Sequence, residues 1–426
     1  MPAERAVLVT VELDPRFSRG TIRWPLADEA QELNELASSS GCRIVGEVSA
    51  RRHQPISGTF LGKGKLEEIA KTASEAQGQV VIFNQELSPA QQRNIEEMLR
   101  VKTIDRTQLI LDIFAQRAKS QEGKIQVELA QLRYLLPRLT GKGVMLSRLG
   151  GGIGTRGPGE QKLEVDRRRI RFRLSRLGEE LERLGRRREA TRSRRKESEV
   201  PVVALVGYTN AGKTTLLNRL TGAAGTAQNQ LFTTLDPLAR RMRLPSGDLV
   251  ILTDTVGFLH HLPHHLIEAF KATLEEARDA DLLLHVLDIS HPLVGEHLRA
   301  VEEVLEQLDL EGKPTVTVLN KCDRLSDSAA AQSDVEVLKH AHQPAVTISA
   351  KLGQGIDALE SLIVEQLGFL LGEPTRLRVP LEQQELVASV YRHGKVLRRK
   401  ELDDAVELTV RLPFKIKALF SEYLVS

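Results

Sequence analysis

Strand-length apolar runs alternating with helix-length amphipathic segments, in two separate stretches of the 426-residue chain, predict an α/β fold on mainly parallel sheets. A second observation is the glycine-rich stretch Gly207 to Thr215, set between an apolar run and a helix. A third is a pair of apolar seams flanking a glycine cluster near residue 150, the pattern of a helical hairpin. The predicted order is an N-terminal α/β domain over 1–120, a basic hairpin over 121–197 and a second α/β domain over 198–371. That second domain carries helices on both faces of its sheet, and a small α+β domain over 374–426 closes the chain.

In the first domain, Ala6–Val11, Cys42–Val48, Val80–Phe83 and Val101–Ile104 read as strands. Helices over Glu29–Ser38 and Leu66–Ala76 separate them, and a third starts at Ser88-Pro89, with Ser at the cap and Pro in the first turn. Gly62-Lys63-Gly64-Lys65 lacks the spacing of a phosphate motif and reads as a solvated helix start. From Gln108 to Leu136 the spacing predicts one continuous helix, with Ile125, Leu129, Leu132 and Leu136 on one face. The glycines between Arg148 and Glu160 predict a flexible loop. Beyond it Leu163, Ile170, Leu174, Leu177, Leu181 and Leu184 follow a heptad seam that packs back on the first.

In the second α/β domain the strands are Val202–Val206, Leu249–Thr253, Leu282–Leu287, Thr315–Leu319 and Ala345–Ile348, with an antiparallel strand near Arg240–Leu244. Helices are expected over Leu266–Ala277, Leu293–Leu308, Ala330–Ala341 and Ile356–Leu370. The last domain shows strands at Arg376–Val379 and Val406–Leu412, with a helix over Glu382–His393.

Charge is unevenly spread. Residues 138–197 hold 19 Lys and Arg against 8 Asp and Glu, a net of +11 in a chain whose whole net is +3, so the other 366 residues sum to −8. Arg167, Arg168, Arg169, Arg171, Arg173 and Arg176 surround the second hairpin helix, and a basic run follows over Arg186–Lys196. Such an excess suits phosphate backbones, and the scarcity of aromatics there (Phe172, Tyr134) argues against base stacking. Two cysteines, Cys42 and Cys322, cannot build a disulfide framework, which points to a reduced, cytoplasmic setting. No apolar run reaches the ~18 residues of a membrane span, and the N-terminus lacks a signal-peptide pattern.

The spacing Gly207-Tyr208-Thr209-Asn210-Ala211-Gly212-Lys213-Thr214-Thr215 is that of a phosphate-binding loop. Its glycines let backbone N–H groups converge on an anion, and the helix after it points its positive end the same way. Lys213 is expected on the β- and γ-phosphates and the Thr214 hydroxyl on Mg²⁺. Asp254-Thr255-Val256-Gly257 follows a strand, with Asp254 assigned to the metal through water and the Gly257 N–H to the γ-phosphate. Between them lies Phe232-Thr233-Thr234, a switch segment whose threonine closes over the metal. Thr234 is the choice and Thr233 the rival. Lys213, Thr234 and Gly257 therefore form the expected catalytic set. Asn210 is assigned as a K⁺ ligand. Phe258 stands where many GTPases carry a water-orienting glutamine, so slow intrinsic hydrolysis and acceleration by a partner are expected.

Base choice is read from Asn320-Lys321-Cys322-Asp323. A carboxylate at Asp323 accepts from N1–H and the 2-amino group of guanine, a donor pair that adenine lacks. Each charged hydrogen bond lost costs about 1.5–3 kcal/mol, enough to exclude ATP. Ser349-Ala350-Lys351 offers the Ala350 N–H to guanine O6. The histidines His260, His261, His264 and His265 include i,i+4 pairs, but Leu262-Pro263 interrupts them, and they read as polar surface rather than a zinc site.

Residues 150–160, Gly-Gly-Gly-Ile-Gly-Thr-Arg-Gly-Pro-Gly-Glu, with Leu163-Glu164 and Asp166-Arg167-Arg168, resemble the signature of the HflX family of translational GTPases. So do Leu87-Ser88-Pro89 with Gln91-Gln92-Arg93-Asn94, and Ile104-Asp105-Arg106-Thr107 running into Leu111-Asp112-Ile113-Phe114-Ala115. Thr233 and Cys322 depart from the usual alanine and aliphatic residue. The resemblance implies GTP and GDP as ligands, binding to the large ribosomal subunit and its ribosomal RNA, and splitting of stalled ribosomes under stress by a chain that is monomeric when free. Rival readings are a ribosome-assembly or tRNA-modification GTPase, and an RNA-binding protein with a structural nucleotide.

Overall fold

The computed structural model describes residues 3–14, 16–17, 24–139, 158–197, 200–223, 232, 238–259, 276–325, 329–368, 374–393, 395–402, 404–412 and 418–425. The chain divides into two compact units. One comprises Met1–Arg188, Gln228–Asp236 and Leu259–Thr273; the other comprises Glu189–Ala227, Pro237–Phe258 and Leu274–Ser426.

The first unit is built on a parallel sheet of β1 (Arg5–Leu13), β2 (Arg43–Arg52), β3 (Val80–Phe83) and β4 (Lys102–Asp105) in the order β2-β1-β3-β4. Helices α1 (Leu26–Ser39), α2 (Lys63–Glu75), α3 (Pro89–Leu99) and α4 (Arg106–Arg117) cross over between or follow the strands. Val7, Val9, Val81 and Phe83 are buried against Leu66, Ile69 and Ile95, the alternate-residue face expected of a sheet covered by helices. Ser88 caps α3 in a reciprocal capping box with Gln91, as Ser-Pro at its start predicts. The lysine–glycine run at 62–65 is the opening of α2, with Gly62 at its cap.

The continuous helix expected over Gln108–Leu136 is two helices, α4 and α5 (Gln121–Arg138). Ala118 is extended and ends α4, while the Ser120 hydroxyl accepts from Gly123 N and restarts the helix. Helix α6 (Pro158–Glu197) begins inside the stretch expected to be loop, because Pro158 suits a first helical turn. The two seams meet as predicted: Ile125, Leu129 and Leu177 are buried, with Leu132, Leu174, Leu181 and Leu184 packed around them. Asp105 anchors α5 to the sheet. Its buried carboxylate accepts from Tyr134 Oη at 2.7 Å, Arg138 Nη2 at 3.1 Å, Leu87 N at 3.1 Å and Gln108 N at 2.9 Å. The glycine cluster up to Gly157 lies outside the described residues, as do the side chains of Arg187–Lys196.

The second unit holds a six-stranded sheet of β5 (Val202–Gly207), β6 (Leu238–Arg243), β7 (Leu249–Asp254), β8 (Leu282–Asp288), β9 (Thr315–Asn320) and β10 (Ala345–Thr347). Their order is β10-β9-β8-β5-β7-β6, parallel throughout except for β6. Helices α7 (Lys213–Thr221), α8 (Val294–Gln307), α9 (Ala329–Ala341) and α10 (Ile356–Gln366) connect or follow the strands. Leu205, Leu216, Leu217, Leu252, Leu284 and Val318 lie in one buried core. Most of the helix expected over Leu266–Ala277 lies outside the described residues.

A four-stranded antiparallel sheet completes this unit: β11 (Pro374–Pro380), β12 (Lys395–Glu401), β13 (Ala405–Arg411) and β14 (Leu424–Val425), in the order β12-β13-β11-β14, with α11 (Gln384–His393). Strands β12 and β14 were not read from the sequence. The β12 sequence Lys-Val-Leu-Arg-Arg-Lys-Glu is an edge strand whose charges face water, so it lacks the apolar alternation that marks half-buried strands. Among the described residues no helix is long and apolar enough to cross a membrane.

Candidate functional site

Five strand ends of the six-stranded sheet converge on one edge. Gly207, Asp254, Asp288 and Asn320 are the last residues of β5, β7, β8 and β9, and Ser349 follows β10 closely. The strand order reverses at β5, which has β7 on one side and β8 on the other. In open parallel sheets a ligand crevice forms outside the carboxyl ends at such a reversal. Residues scattered over 140 positions of sequence are therefore gathered by topology alone.

The loop between β5 and α7 turns through Asn210 at φ 60° and Gly212 at φ 99°. A Cβ at Gly212 would collide with Asn320 Nδ2, so glycine is required by space as well as by conformation. Lys213 is buried, and its Nζ donates to Gly207 O at 2.9 Å and Tyr208 O at 2.8 Å. Burial pushes its ammonium down to about 8, opposed by the charge of Asp254. A cation held in a buried loop by carbonyl oxygens is suited to a polyanion. Tyr208 is buried too, and its ring stacks on His297 of α8 at 3.9 Å and 8°.

Thr214 Oγ1 donates to Asp254 Oδ2 at 2.7 Å, across 40 residues of sequence. A hydroxyl and a carboxylate at this separation form a hard oxygen donor set. Among the described residues no group of three or more His, Cys, Asp or Glu side chains stands ready to hold a metal.

Past Asp254 the chain lies alongside the phosphate loop. Thr255 Oγ1 donates to Leu205 O at 2.7 Å, Phe258 N to Gly207 O at 3.1 Å, and Thr209 N to Phe258 O at 2.8 Å. Val256 and Phe258 are buried. A Cβ at Gly257 would lie 2.7 Å from Thr209 Cγ2 and 3.1 Å from Lys213 Nζ, so only glycine permits this approach. Thr215 begins the second half of the first turn of α7 and is half-buried.

The last motif elements sit against the other side of the phosphate loop. Asn320 is 2% exposed; its Nδ2 donates to Ala211 O at 2.8 Å and its Oδ1 accepts from Ala350 N at 3.0 Å. Asp323 Oδ1 accepts from Ser349 Oγ at 2.6 Å, and Ser349 Oγ accepts from Leu352 N at 3.1 Å. Lys321 pairs with Asp288 at 2.6 Å. Cys322 is half-buried, its thiol pushed up by burial and by Asp323, so it is no activated nucleophile. Lys351 is exposed at the rim.

Thr233, Thr234 and the four histidines from His260 lie outside the described residues. Phe232 is described: it is buried at φ 55°, its ring edge-on to Phe114 of α4 at 4.5 Å. Three residues escaped the sequence reading. Asp288 was discoverable from its place at a strand end opposite Asn320 in register. His297 and Arg219 sit on helix faces and carry no local signal. Burial drives His297 down to about 3, helped by His291, so its ring is neutral against Tyr208.

Family models match along the chain: "GTP-binding GTPase N-terminal" over residues 27–115, "GTP-binding GTPase Middle Region" over 117–195, "50S ribosome-binding GTPase" over 202–321 and "HflX C-terminal domain" over 335–418. The chain is 45% identical over 423 residues to GTPase HflX of Caldanaerobacter subterraneus subsp. tengcongensis, covering 99% of this chain and 94% of that one. It is 45% identical over 387 residues to GTPase HflX of Escherichia coli K12, covering 91% and 90%. Among solved structures, a GTP-binding protein from Sulfolobus solfataricus in complex with GDP is 26% identical, with a TM-score of 0.45, covering 85% of this chain and 98% of that chain.

Proposed function

The chain belongs to the HflX family of GTPases and hydrolyses GTP, and on that premise we propose that it is a ribosome-associated factor whose grip on RNA is set by the nucleotide it holds. In this reading it acts in the cytoplasm as a monomer, engages the large ribosomal subunit through ribosomal RNA, and splits or rescues stalled ribosomes under stress. The division of labour follows the four predicted segments, with the hairpin of 121–197 as the RNA-facing arm and 198–371 as the nucleotide switch.

The observation that carries the proposal is the hairpin itself. Its apolar seam of Ile125, Leu129 and Leu177 is turned inward, which leaves Arg168, Arg169, Arg171, Arg173 and Arg176 of α6 exposed. Arg173 is partly used, in a two-point pair with Glu128 at 2.7 and 2.8 Å. A narrow two-helix arm with arginines outward and few aromatics suits phosphate backbones rather than bases.

Site roles are assigned on the geometry above. Gly207 to Thr215 cradle the phosphates, with Lys213 on the β- and γ-groups and the Gly257 N–H on the γ-phosphate. Thr214 and Asp254 would hold Mg²⁺, directly and through water, and Thr234 would join them when the switch closes. Held by these residues, Mg²⁺ would supply positive charge against the negative charge of the phosphates. Asn210, exposed and in a left-handed conformation, is the proposed K⁺ ligand. Asp323 reads N1–H and the 2-amino group of guanine, Ala350 offers to O6, as a second acceptor, the N–H that donates to Asn320 Oδ1, and Asn320, Lys321, Ser349 and Lys351 brace or rim the pocket. Phe258, buried and backbone-paired, cannot orient the attacking water, so acceleration by the ribosome is expected.

Sedimentation of intact ribosomes tests the reading. With GTP the chain should convert them to subunits, and with GDP it should not. A shift confined to precursor subunits would favour an assembly role instead, and ribosomes that do not stimulate phosphate release would favour a structural nucleotide.

A further inference from the structure

We propose that Arg219 is a positioning residue for guanine recognition, locking the loop that presents the Ala350 N–H to the helix that starts at the phosphates. Arg219 lies in the last turn of α7, whose first residue is Lys213. A basic side chain in a last turn ordinarily stays with its own helix's final carbonyls and its negative dipole end. Arg219 instead reaches a loop 131 residues further along the chain. Its Nε donates to Ala350 O at 3.1 Å and its Nη2 to Lys351 O at 2.5 Å.

The loop fits this contact. Gly353 adopts φ +84°, and a Cβ there would sit 3.6 Å from Arg219 Cζ, so the guanidinium lies flat against the turn. Two neighbouring carbonyls held by one planar fork fix both peptide planes that follow the Ala350 donor. Other ties come from the β9 side, where Asn320 Oδ1 holds Ala350 N at 3.0 Å and Asp323 Oδ1 holds Ser349 Oγ at 2.6 Å, and from within the loop, where Ser349 N donates to Gln354 O at 3.0 Å and Gly353 N to Ser349 O at 2.7 Å. Arg219 thus supplies the opposing brace. The consequence is mechanical: one short helix carries Lys213 and Thr214 at its start and registers the base loop at its end. The distance between the phosphate donors and the O6 donor is then set by a rigid element rather than by a loop.

The inference rests on assigning Ala350 and Asp323 to the base, and the test keeps the two apart. Steady-state hydrolysis by the full chain is measured with GTP, inosine triphosphate and xanthosine triphosphate for the parent, Arg219→Ala, Arg219→Lys and Asp323→Asn. Arg219→Ala should raise KM for GTP about tenfold with kcat within about twofold, the signature of lost uniform binding. The ratio of KM for inosine triphosphate to that for GTP, which reads the 2-amino contact of Asp323, should not move. Arg219→Lys, able to reach one carbonyl, should recover part of KM. An unchanged KM, or a kcat that falls in step with KM and with the melting temperature of both variants, overturns the inference. Asp323→Asn should shift preference from GTP to xanthosine triphosphate. If it does not, the base assignment falls whatever Arg219 does.

Discussion

In the nucleotide pocket the working groups are buried and mutually bonded. Asn320 and Ser349 are 2% and 0% exposed, and Thr214 meets Asp254 at 2.7 Å. In the helical hairpin the working groups are the opposite. Arg168, Arg169, Arg171 and Arg176 stand in water over a seam in which, among the described residues, Ile125, Leu129 and Leu177 are buried. The pocket can therefore discriminate a ligand atom by atom, because any mismatch strands a desolvated partner. As the RNA-facing arm proposed above, the hairpin would read only charge and shape, because each exposed cation is exchanged against counterions.

Salt should separate the two regions most sharply. Raising salt from 50 to 200 mM should weaken ribosome binding about 10³-fold if the arm engages some six phosphates. GDP binding, held by buried groups, should change less than about twofold over the same range, by titration calorimetry. A similar salt slope for both would erase the distinction.

Next in size, Lys213→Ala removes the cation buried in the loop between β5 and α7. GTP affinity should fall at least ~100-fold, since a charge-assisted contact to phosphate in a desolvated site is lost outright. Fluorescent-nucleotide titration measures this, and ribosome binding driven by the arm alone should survive at low salt.

A smaller effect is expected for Leu177→Ala in the hairpin. Leu177 is 1% exposed, and its loss should destabilise the arm by about 2 kcal/mol, the low end for a buried leucine in so thin a core. Thermal unfolding should shift accordingly while GDP affinity holds. The smallest change is predicted for Phe258→Gln. A glutamine there inherits a buried position and the same two backbone bonds, so intrinsic hydrolysis should rise less than about twofold.

The same contrast explains what could be read from the sequence. The gathering of Gly212, Lys213, Asp254, Asn320 and Asp323 at one edge of the sheet was legible because they follow or end strands, and strands announce themselves as apolar runs. The seams of α5 and α6 were legible by period. The break at Ala118–Ser120 was not, since one extended residue and a serine cap interrupt a pattern that reads as continuous on either side. Edge strand β12 was hidden by its own charges. Arg219, Asp288 and His297 act through partners brought near by topology, and in the sequence each is an ordinary polar residue.

The central claim is that triphosphate occupancy changes how the basic arm meets RNA. Co-sedimentation of the full chain with large ribosomal subunits, loaded in turn with a non-hydrolysable GTP analogue, with GDP and with no nucleotide, tests it most directly. The account predicts retention at least ~10-fold tighter with the analogue than with GDP, lost when residues 148–159 are deleted. Equal retention in all three states would contradict it.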